Sequence, residues 1–304
     1  MSRPVIVGLA LREDDAAPIR LALTLVGLSG APIALVHALP RESPGRLPVP
    51  EYTAAIREAA QKQLRAAIAG LPEGTAASSC LVDGSPSRGL QEAAEELGAV
   101  AVVVGSTHHG AIGRVLAGDV AAGLMHDTPC PVAVAPRGYD GADGPLRVGV
   151  AYDGSPESDA ALAAAVGIAQ HTGGGVHAFT VLDPRDWAPL YATPGWVPSP
   201  SYERRRDEHA QTVADHALES LPGGLQGVAE LLNGPIVPAL ADVSERLDLL
   251  VCGSRGYGSL HTVASGSVAR GLAHRAACPL LVTPRSQTTE SRELWAGHAA
   301  GQIG

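Results

Sequence analysis

Residues 253–268, GSRGYGSLHTVASGSV, combine glycine and serine in a pattern that can bind a phosphate group. The stretch follows an apolar run, LDLLVCG, and precedes a segment with the pattern of a helix. Glycine lets a ligand approach the main chain closely, and the free amides at a helix N-terminus attract anions. The lysine of a P-loop and the pattern G-x-G-x-x-G are both missing. We therefore expect any phosphate here to be held by main-chain amides, a helix dipole and the hydroxyl of Ser267.

A second candidate group is the carboxylate of Asp153, which ends the apolar segment RVGVAYD. A carboxylate at that place can accept hydrogen bonds from ribose hydroxyls or from the amino group of adenine. The same aspartate is suited to cap the helix that follows, and the two roles are compatible. No Ser–His–Asp set, carboxylate pair or activated nucleophile stands out. The pattern therefore predicts a binding protein and not an enzyme.

These residues are expected to lie on a parallel sheet, because strand-like and helix-like segments alternate along the chain. After Asp153, the segment SPESDAALAAAVGIAQHTG is a predicted helix with Ser155 as its N-cap and Gly173 just past its end. Further strands are predicted in VHAFTVLD, 225–232, LDLLVCG and PLLVTP. Ligands of open parallel sheets bind beyond the carboxyl ends of the strands, where Asp153 and Gly253 are both expected.

Most of this pattern occurs twice in the chain. TPCPVAVAPR, residues 128–137, returns as AACPLLVTPR, residues 276–285. VVVGSTHHGAIGRVLAGDV returns at the same spacing as LLVCGSRGYGSLHTVASGSV, and VIVGLAL matches LRVGVAY at a slightly shorter spacing. Such repetition predicts two copies of one domain. The predicted organisation is a first copy at 1–137, a Gly-, Asp- and Pro-rich linker at 138–145, a second copy at 146–285 and a mobile tail at 286–304.

The spacing G-x2-G-x9-G-S, with an aspartate turn after the first strand, resembles the ATP-binding type of universal stress protein. The segments VAYDGSPES and CPLLVTP carry the same resemblance, which covers roughly residues 3–137 and 146–285. It implies a tandem member of that family with an α/β fold. This fold consists of two tandem open, parallel five-stranded sheets with helices on both faces, HUP or Rossmann-like and of the adenine nucleotide alpha hydrolase kind. The role it implies is regulation or stress adaptation.

The resemblance also implies a set of ligand contacts in the second copy. The first strand end is expected to supply Asp153 and its neighbours Ala151 and Tyr152. Val181, after the second strand, is expected to pack on adenine. The contacts to phosphates and ribose are expected from Gly253, Arg255, Gly256, Gly266, Ser267 and Val268. The implied ligand is ATP, with or without Mg²⁺.

The first copy departs from this pattern at three positions. His108 occupies the position of Gly256, and Asp119 occupies that of Ser267. The slightly shorter spacing at which VIVGLAL matches LRVGVAY puts Arg12 at the position of Asp153. Two like unit charges about 4 Å apart repel by about 4 kcal/mol at an effective dielectric constant near 20. A carboxylate at the start of a phosphate-binding helix therefore opposes a triphosphate. We expect the first copy to be a structural partner that does not bind ATP tightly.

Composition and residue spacing argue against several other classes of protein. The formal net charge is −9 and no Lys/Arg-rich block occurs, which argues against a nucleic-acid partner. No apolar run approaches the length of a membrane span, so no membrane partner and a cytoplasmic location are expected. His108 and His109 have no third ligand at a suitable spacing, so no metal site is predicted. The four cysteines are expected to be buried, reduced thiols: Cys80, Cys130, Cys252 and Cys278.

The expected function is therefore ATP or adenine-nucleotide binding, mainly by the second copy of a stress-adaptation protein. Three alternatives stay open: a nucleotide-free interaction scaffold, a slow ATP-hydrolysing switch, and a cyclic AMP binder. The edge strands CPVAVAP and CPLLVTP are expected to pair the two copies as an intramolecular pseudo-dimer. The same edges could pair across chains in a homodimer.

Overall fold

The computed structural model describes residues 3–12, 15–39, 50–107, 112–142, 144–183, 200–254 and 267–284. The chain divides into two compact units, Met1–Gly141 and Ala142–Gly304, so the division falls inside the stretch 138–145. The predicted tail 286–304 lies outside the described residues.

The first unit is an alternation of five strands and four described helices. Its strands are β1 (Val5–Gly8), β2 (Ile33–Leu39), β3 (Ala77–Asp83), β4 (Ala101–Gly105) and β5 (Val132–Ala135). Its helices are α1 (Ala16–Ser29), α2 (Pro50–Ala69), α3 (Pro86–Glu96) and α4 (Asp119–Asp127). The strands lie in the order β3-β2-β1-β4-β5, and each neighbouring pair is parallel.

The second unit repeats this plan. Its strands are β6 (Arg147–Ala151), β7 (Gly175–Leu182), β8 (Gly227–Asn233), β9 (Leu249–Gly253) and β10 (Leu280–Thr283). Its described helices are α5 (Pro156–Thr172), α6 (Pro200–Glu219), α7 (Ile236–Ser244) and α8 (Ser267–Leu272). The order is β8-β7-β6-β9-β10, again with every neighbouring pair parallel.

This strand order confirms the predicted fold class of open, parallel five-stranded sheets. In each unit the chain first moves outward from the central strand to one edge and then returns to build the other side. The direction reverses between β1 and β4 and between β6 and β9, which are the places where such sheets bind ligands. The central strands are buried, as expected when helices cover both faces of a parallel sheet.

Helix α5 begins and ends where its sequence predicts. The hydroxyl of Ser155 accepts a hydrogen bond from the amide of Ser158 and so caps the first turn. Pro156 occupies the first helical position, where a missing amide hydrogen costs nothing. Gly173 ends the helix with φ of 69°, a left-handed conformation that glycine adopts without strain.

The cores are aliphatic, and three of the four cysteines belong to them. Cys130, Cys252 and Cys278 are buried, and burial raises the pKa of each thiol to about 12. Cys80 is exposed, contrary to the sequence-based expectation, because β3 is an edge strand with several exposed residues. Within the part of the chain that the structure describes, no helix is both long and apolar enough to cross a membrane.

Candidate functional site

Three adjacent parallel strands of the second unit bring candidate residues together at their carboxyl ends, which form one edge of the sheet. Strand β6 lies between β7 and β9 and is parallel to both. Ala151 is paired with Phe179, and the amide of Tyr152 donates to the Phe179 carbonyl over 2.9 Å. Asp153 and Val181 therefore lie at the carboxyl ends of neighbouring strands. Gly253 ends β9 on the other side of β6, at the point where the strand order reverses.

Asp153 is partly exposed and is held by the turn that follows it. Its Oδ1 accepts hydrogen bonds from the amide and the hydroxyl of Ser155, over 3.0 and 2.5 Å. Gly154, between them, has φ of 75°, which makes the turn tight enough for both contacts. The aspartate thus closes a turn just ahead of the helix, whose N-cap is Ser155 and not the predicted Asp153, and the turn carries its carboxylate at the edge where a ligand would bind.

Tyr152 can offer a ligand little except its main chain. Its side chain is fully buried, and its hydroxyl donates to Asp159 Oδ1 over 2.7 Å. Burial, reinforced by that hydrogen bond, raises the pKa of Tyr152 well above its usual value. The Tyr152 carbonyl accepts a hydrogen bond from the Thr180 hydroxyl over 3.0 Å, which ties the ends of β6 and β7 together.

Val181 and Asp183 shape the end of β7. Val181 is 5% exposed, so only a small apolar surface remains for a ring to contact. Asp183 is also buried, and its Oδ2 accepts from the amide of Ile236, the first residue of α7, over 3.1 Å. Sequence reasoning missed Asp183 and Thr180, although a polar residue within or directly after an apolar strand is a signal that could have found them.

Gly253 is in close contact with the first turn of α5. A Cβ atom at this position would lie 2.9 Å from both Cβ and the carbonyl oxygen of Glu157. The amide of the next residue, Ser254, donates to the Thr283 carbonyl over 2.8 Å. Glycine at 253 therefore has a packing reason of its own, whether or not a ligand approaches it.

The remaining candidates are only partly described. Ser267 is exposed as the first residue of α8, and Val268 beside it is buried. Because α8 has six residues, a phosphate at this end would depend on hydroxyl and amide hydrogen bonds more than on a helix dipole. Outside the described residues lie Arg255, Gly256 and Gly266.

In the first unit, the residue at the place of Asp153 is Ala10 and not Arg12. Strand β1 pairs Val5 with Ala101, and β6 pairs Val148 with Leu249, so Val5 is the counterpart of Val148. The hydrogen bonds agree, because Leu9 donates to Val36 as Tyr152 donates to Phe179. The sequence match was wrong by two residues because apolar strands align almost equally well in several registers. The counterpart of Asp153 in the first unit is therefore an alanine, whose side chain cannot accept a hydrogen bond.

The other predicted differences of the first unit lie at the start of α4. Asp119 is the first residue of that helix and is exposed, and Gly118 precedes it as the N-cap. Solvent therefore screens the carboxylate more than the sequence-based estimate assumed. His108 and His109 lie outside the described residues. Among the residues that are described, no group of His, Cys, Asp and Glu could hold a metal ion.

Known proteins share both the sequence pattern and the fold. A sequence model of the Universal stress protein family matches residues 1–136 and again 146–284. A universal stress protein of Mycolicibacterium smegmatis is 28% identical over 299 residues, covering 91% of this chain and 96% of its own. One of Archaeoglobus fulgidus superposes with a TM-score of 0.66 at 21% identity, over 94% of this chain and all of its own.

A further solved universal stress protein, a complex with cAMP, aligns with 47% of this chain and all of its own at 26% identity and a TM-score of 0.30. The family match covers both units, and the full-length relatives carry the same duplication. The chain therefore belongs to the universal stress protein family, of which it is a tandem member.

Proposed function

We propose that the second unit binds an adenine nucleotide, with ATP as the first candidate, and that binding serves a regulatory role in stress adaptation. The observation that supports this most directly is the meeting of Asp153, Val181 and Gly253 at the ends of three adjacent parallel strands. This edge includes the reversal point between β6 and β9, where open sheets bind their ligands.

Each residue has a distinct role in this proposal. The Asp153 carboxylate accepts hydrogen bonds from ribose hydroxyls or the adenine amino group, and Val181 contacts the ring. Ala151 and Tyr152 line the same strand end through their main chains. Phosphates are bound by the segment from Gly253 to Val268, which includes Arg255, Gly256, Gly266 and Ser267, with Mg²⁺ as a companion ion.

We further propose that the first unit does not bind ATP tightly. Ala10 has no carboxylate to replace that of Asp153, and Asp119 places a negative charge where Ser267 has a hydroxyl. Because Asp119 is exposed, the missing carboxylate is the larger of the two differences. The first unit then serves as a structural partner of the second.

The same proposal includes an arrangement of the two units as a pseudo-dimer in the cytoplasm. Strands β5 and β10 form one edge of each unit's sheet and carry almost only apolar side chains. An exposed apolar edge strand promotes aggregation, so pairing the two edges would protect both. Light scattering of the intact chain tests this. If β5 and β10 pair within one chain, the chain should be a monomer over a wide concentration range. If the two edge strands are left unpaired, it should form a homodimer.

Calorimetric titration of the intact chain with ATP and Mg²⁺, after removal of any bound nucleotide, tests the binding proposal. We expect one site per chain. Ser267→Asp, which copies Asp119, should weaken binding at least tenfold, since a like charge near a phosphate costs up to about 4 kcal/mol before screening. The reciprocal Asp119→Ser should leave one site, because Ala10 still lacks the carboxylate. Two sites would contradict the assignment of the first unit, and no binding would overturn the proposal.

Two further measurements separate the remaining functions. ADP released over many turnovers would identify an ATP-hydrolysing switch, which the proposal does not require. Titration with cyclic AMP tests whether the triphosphate is recognised. A nucleotide at about 100 times its dissociation constant stabilises the protein by about 2.7 kcal/mol, so thermal unfolding checks each result independently.

A further inference from the structure

The carboxylate of Asp153 is held by a serine that also begins a helix. Ser155 donates to Asp153 Oδ1 twice, from its amide over 3.0 Å and from its hydroxyl over 2.5 Å. The same hydroxyl oxygen accepts from the amide of Ser158 over 3.2 Å. The Ser155 hydroxyl therefore connects the carboxylate at the strand end to the first turn of α5.

A second serine completes the connection from the buried side. The hydroxyl of Ser158, which is 3% exposed, donates to the Ser155 carbonyl over 2.9 Å. The amide of Asp153 points toward the same hydroxyl at 3.4 Å. Asp153 is thus fixed at its main chain by one serine and at its carboxylate by the other, and both serines belong to the start of α5.

The first unit forms the same turn with its acid in another place. There Asp15 accepts from the amides of Ala10 and Arg12, over 3.1 and 3.0 Å. These amides correspond to those of Asp153 and Ser155, and Asp15 corresponds to Ser158. The turn after the first strand can therefore be closed from the helix side, without an acid at the strand end. An acid at position 153 is therefore not required to close the turn.

We propose that Ser155 is a positioning residue for nucleotide binding by the second unit, because its hydroxyl fixes the Asp153 carboxylate in its ligand-binding orientation. This inference rests on the proposed function of Asp153. Hydrogen bonds to an ionised carboxylate are short and strong, and an aspartate fixed before the ligand arrives loses less rotational freedom on binding. Without the hydroxyl, the carboxylate must be ordered by the nucleotide itself.

The capping and positioning roles of Ser155 can be separated by substitution. Glycine is nearly as good an N-cap as serine, whereas alanine is a poor one. Neither glycine nor alanine can donate from a side chain, but threonine both donates and accepts. Thermal stability should therefore be close to that of the wild type in Ser155→Gly and Ser155→Thr and lower in Ser155→Ala. Nucleotide affinity should follow a different order, with Ser155→Thr near the wild type and both other variants weakened.

The experiment is calorimetry with ATP and Mg²⁺ and thermal unfolding without nucleotide, both on the intact chain. We expect Ser155→Gly and Ser155→Ala to weaken ATP binding about tenfold, the effect of ordering one side chain on binding. Ser155→Thr should stay within about twofold. Arg12→Gly is the matched control in the first unit, because glycine keeps the main-chain amide that donates to Asp15, and it should leave the affinity unchanged.

Two results would overturn the inference. If the wild type binds ATP and the affinities of the three variants follow their melting temperatures, Ser155 is only a helix cap and the proposed function survives. If the wild type, proven folded and free of nucleotide, binds no adenine nucleotide, the proposed function and this inference both fail.

Discussion

Replacing Gly253 with alanine tests whether the end of β9 is in tight contact with α5. The new Cβ would lie 2.9 Å from Cβ and from the carbonyl oxygen of Glu157, and 3.0 Å from its carbonyl carbon. Because two of these atoms belong to the helix main chain, they cannot rotate away, and β9 or α5 must shift. The counterpart Gly105 is the matched control, since a Cβ there would lie 3.5 Å from the Pro18 ring, an ordinary contact distance.

The expected free energies follow from these distances. Forcing an atom into a packed site costs about 1–3 kcal/mol. Replacing glycine with alanine also stabilises the fold by about 0.4–1 kcal/mol, because it lowers the conformational entropy of the unfolded chain. Neither glycine has φ in the left-handed region, so alanine adds no backbone strain at either site. We expect Gly253→Ala to lower the free energy of unfolding by about 1–2 kcal/mol. Gly105→Ala should leave it unchanged or raise it by up to about 1 kcal/mol.

Calorimetric unfolding of both variants without nucleotide measures this difference. For a unit of this size, each 1 kcal/mol lowers the melting temperature by roughly 2–4 °C. Equal destabilisation by the two substitutions would refute the reasoning, since the contact distances differ. So would an unchanged melting temperature in Gly253→Ala.

Three other predictions concern stability. Leu11 has φ of 56° and is the one non-glycine residue with positive φ in the described part of the chain. Leu11→Gly should therefore raise the urea midpoint by the equivalent of about 0.5–1 kcal/mol, because glycine adopts this conformation without strain. An unchanged midpoint would show that no strain is stored there. Ser244→Ala should cost about 1–3 kcal/mol in chemical denaturation, because the buried Ser244 hydroxyl accepts from the amide of Ala277 over 2.8 Å. A cost near zero would mean that water replaces the hydroxyl. Hydrogen bonds from Arg147 lower the pKa of Asp248, so their stabilisation is complete above the unfolded pKa near 4 and is lost as the pH falls through the folded pKa. Acid titrations of stability should be flatter in Asp248→Asn, and identical curves would contradict this.

Much of the fold could be predicted from local signals. The cap residues Ser155, Pro156 and Gly173 mark the ends of α5 because their backbone preferences are local properties. The strands were predictable because continuous apolar runs of their length suit a sheet buried on both faces. Edge strands are less predictable. Cys80 is exposed because β3 lies at the edge of its sheet, and the position of a strand in the sheet depends on which other strands pair with it.

The site was less predictable than the fold. The sequence identified Asp153 and Gly253 as residues at strand ends, and the structure has them at one edge of the sheet. It gave the wrong counterpart in the first unit, since apolar strands can be aligned in several registers and only their hydrogen bonds distinguish Ala10 from Arg12. It also could not show that Gly253 contacts Glu157, because that contact joins segments far apart in the chain.

The amino-acid sequence by itself determined the duplication, the alternation of strands and helices, and the residue types at the ends of the strands. These properties follow from local conformational preference and from the period of apolar residues. Only the tertiary structure decided which of these residues become neighbours. Strand register places Ala10 at the position in the first unit that Asp153 has in the second, and packing of α5 on β9 leaves no space for a side chain at Gly253. Both depend on contacts between distant segments, whose energies no local pattern encodes.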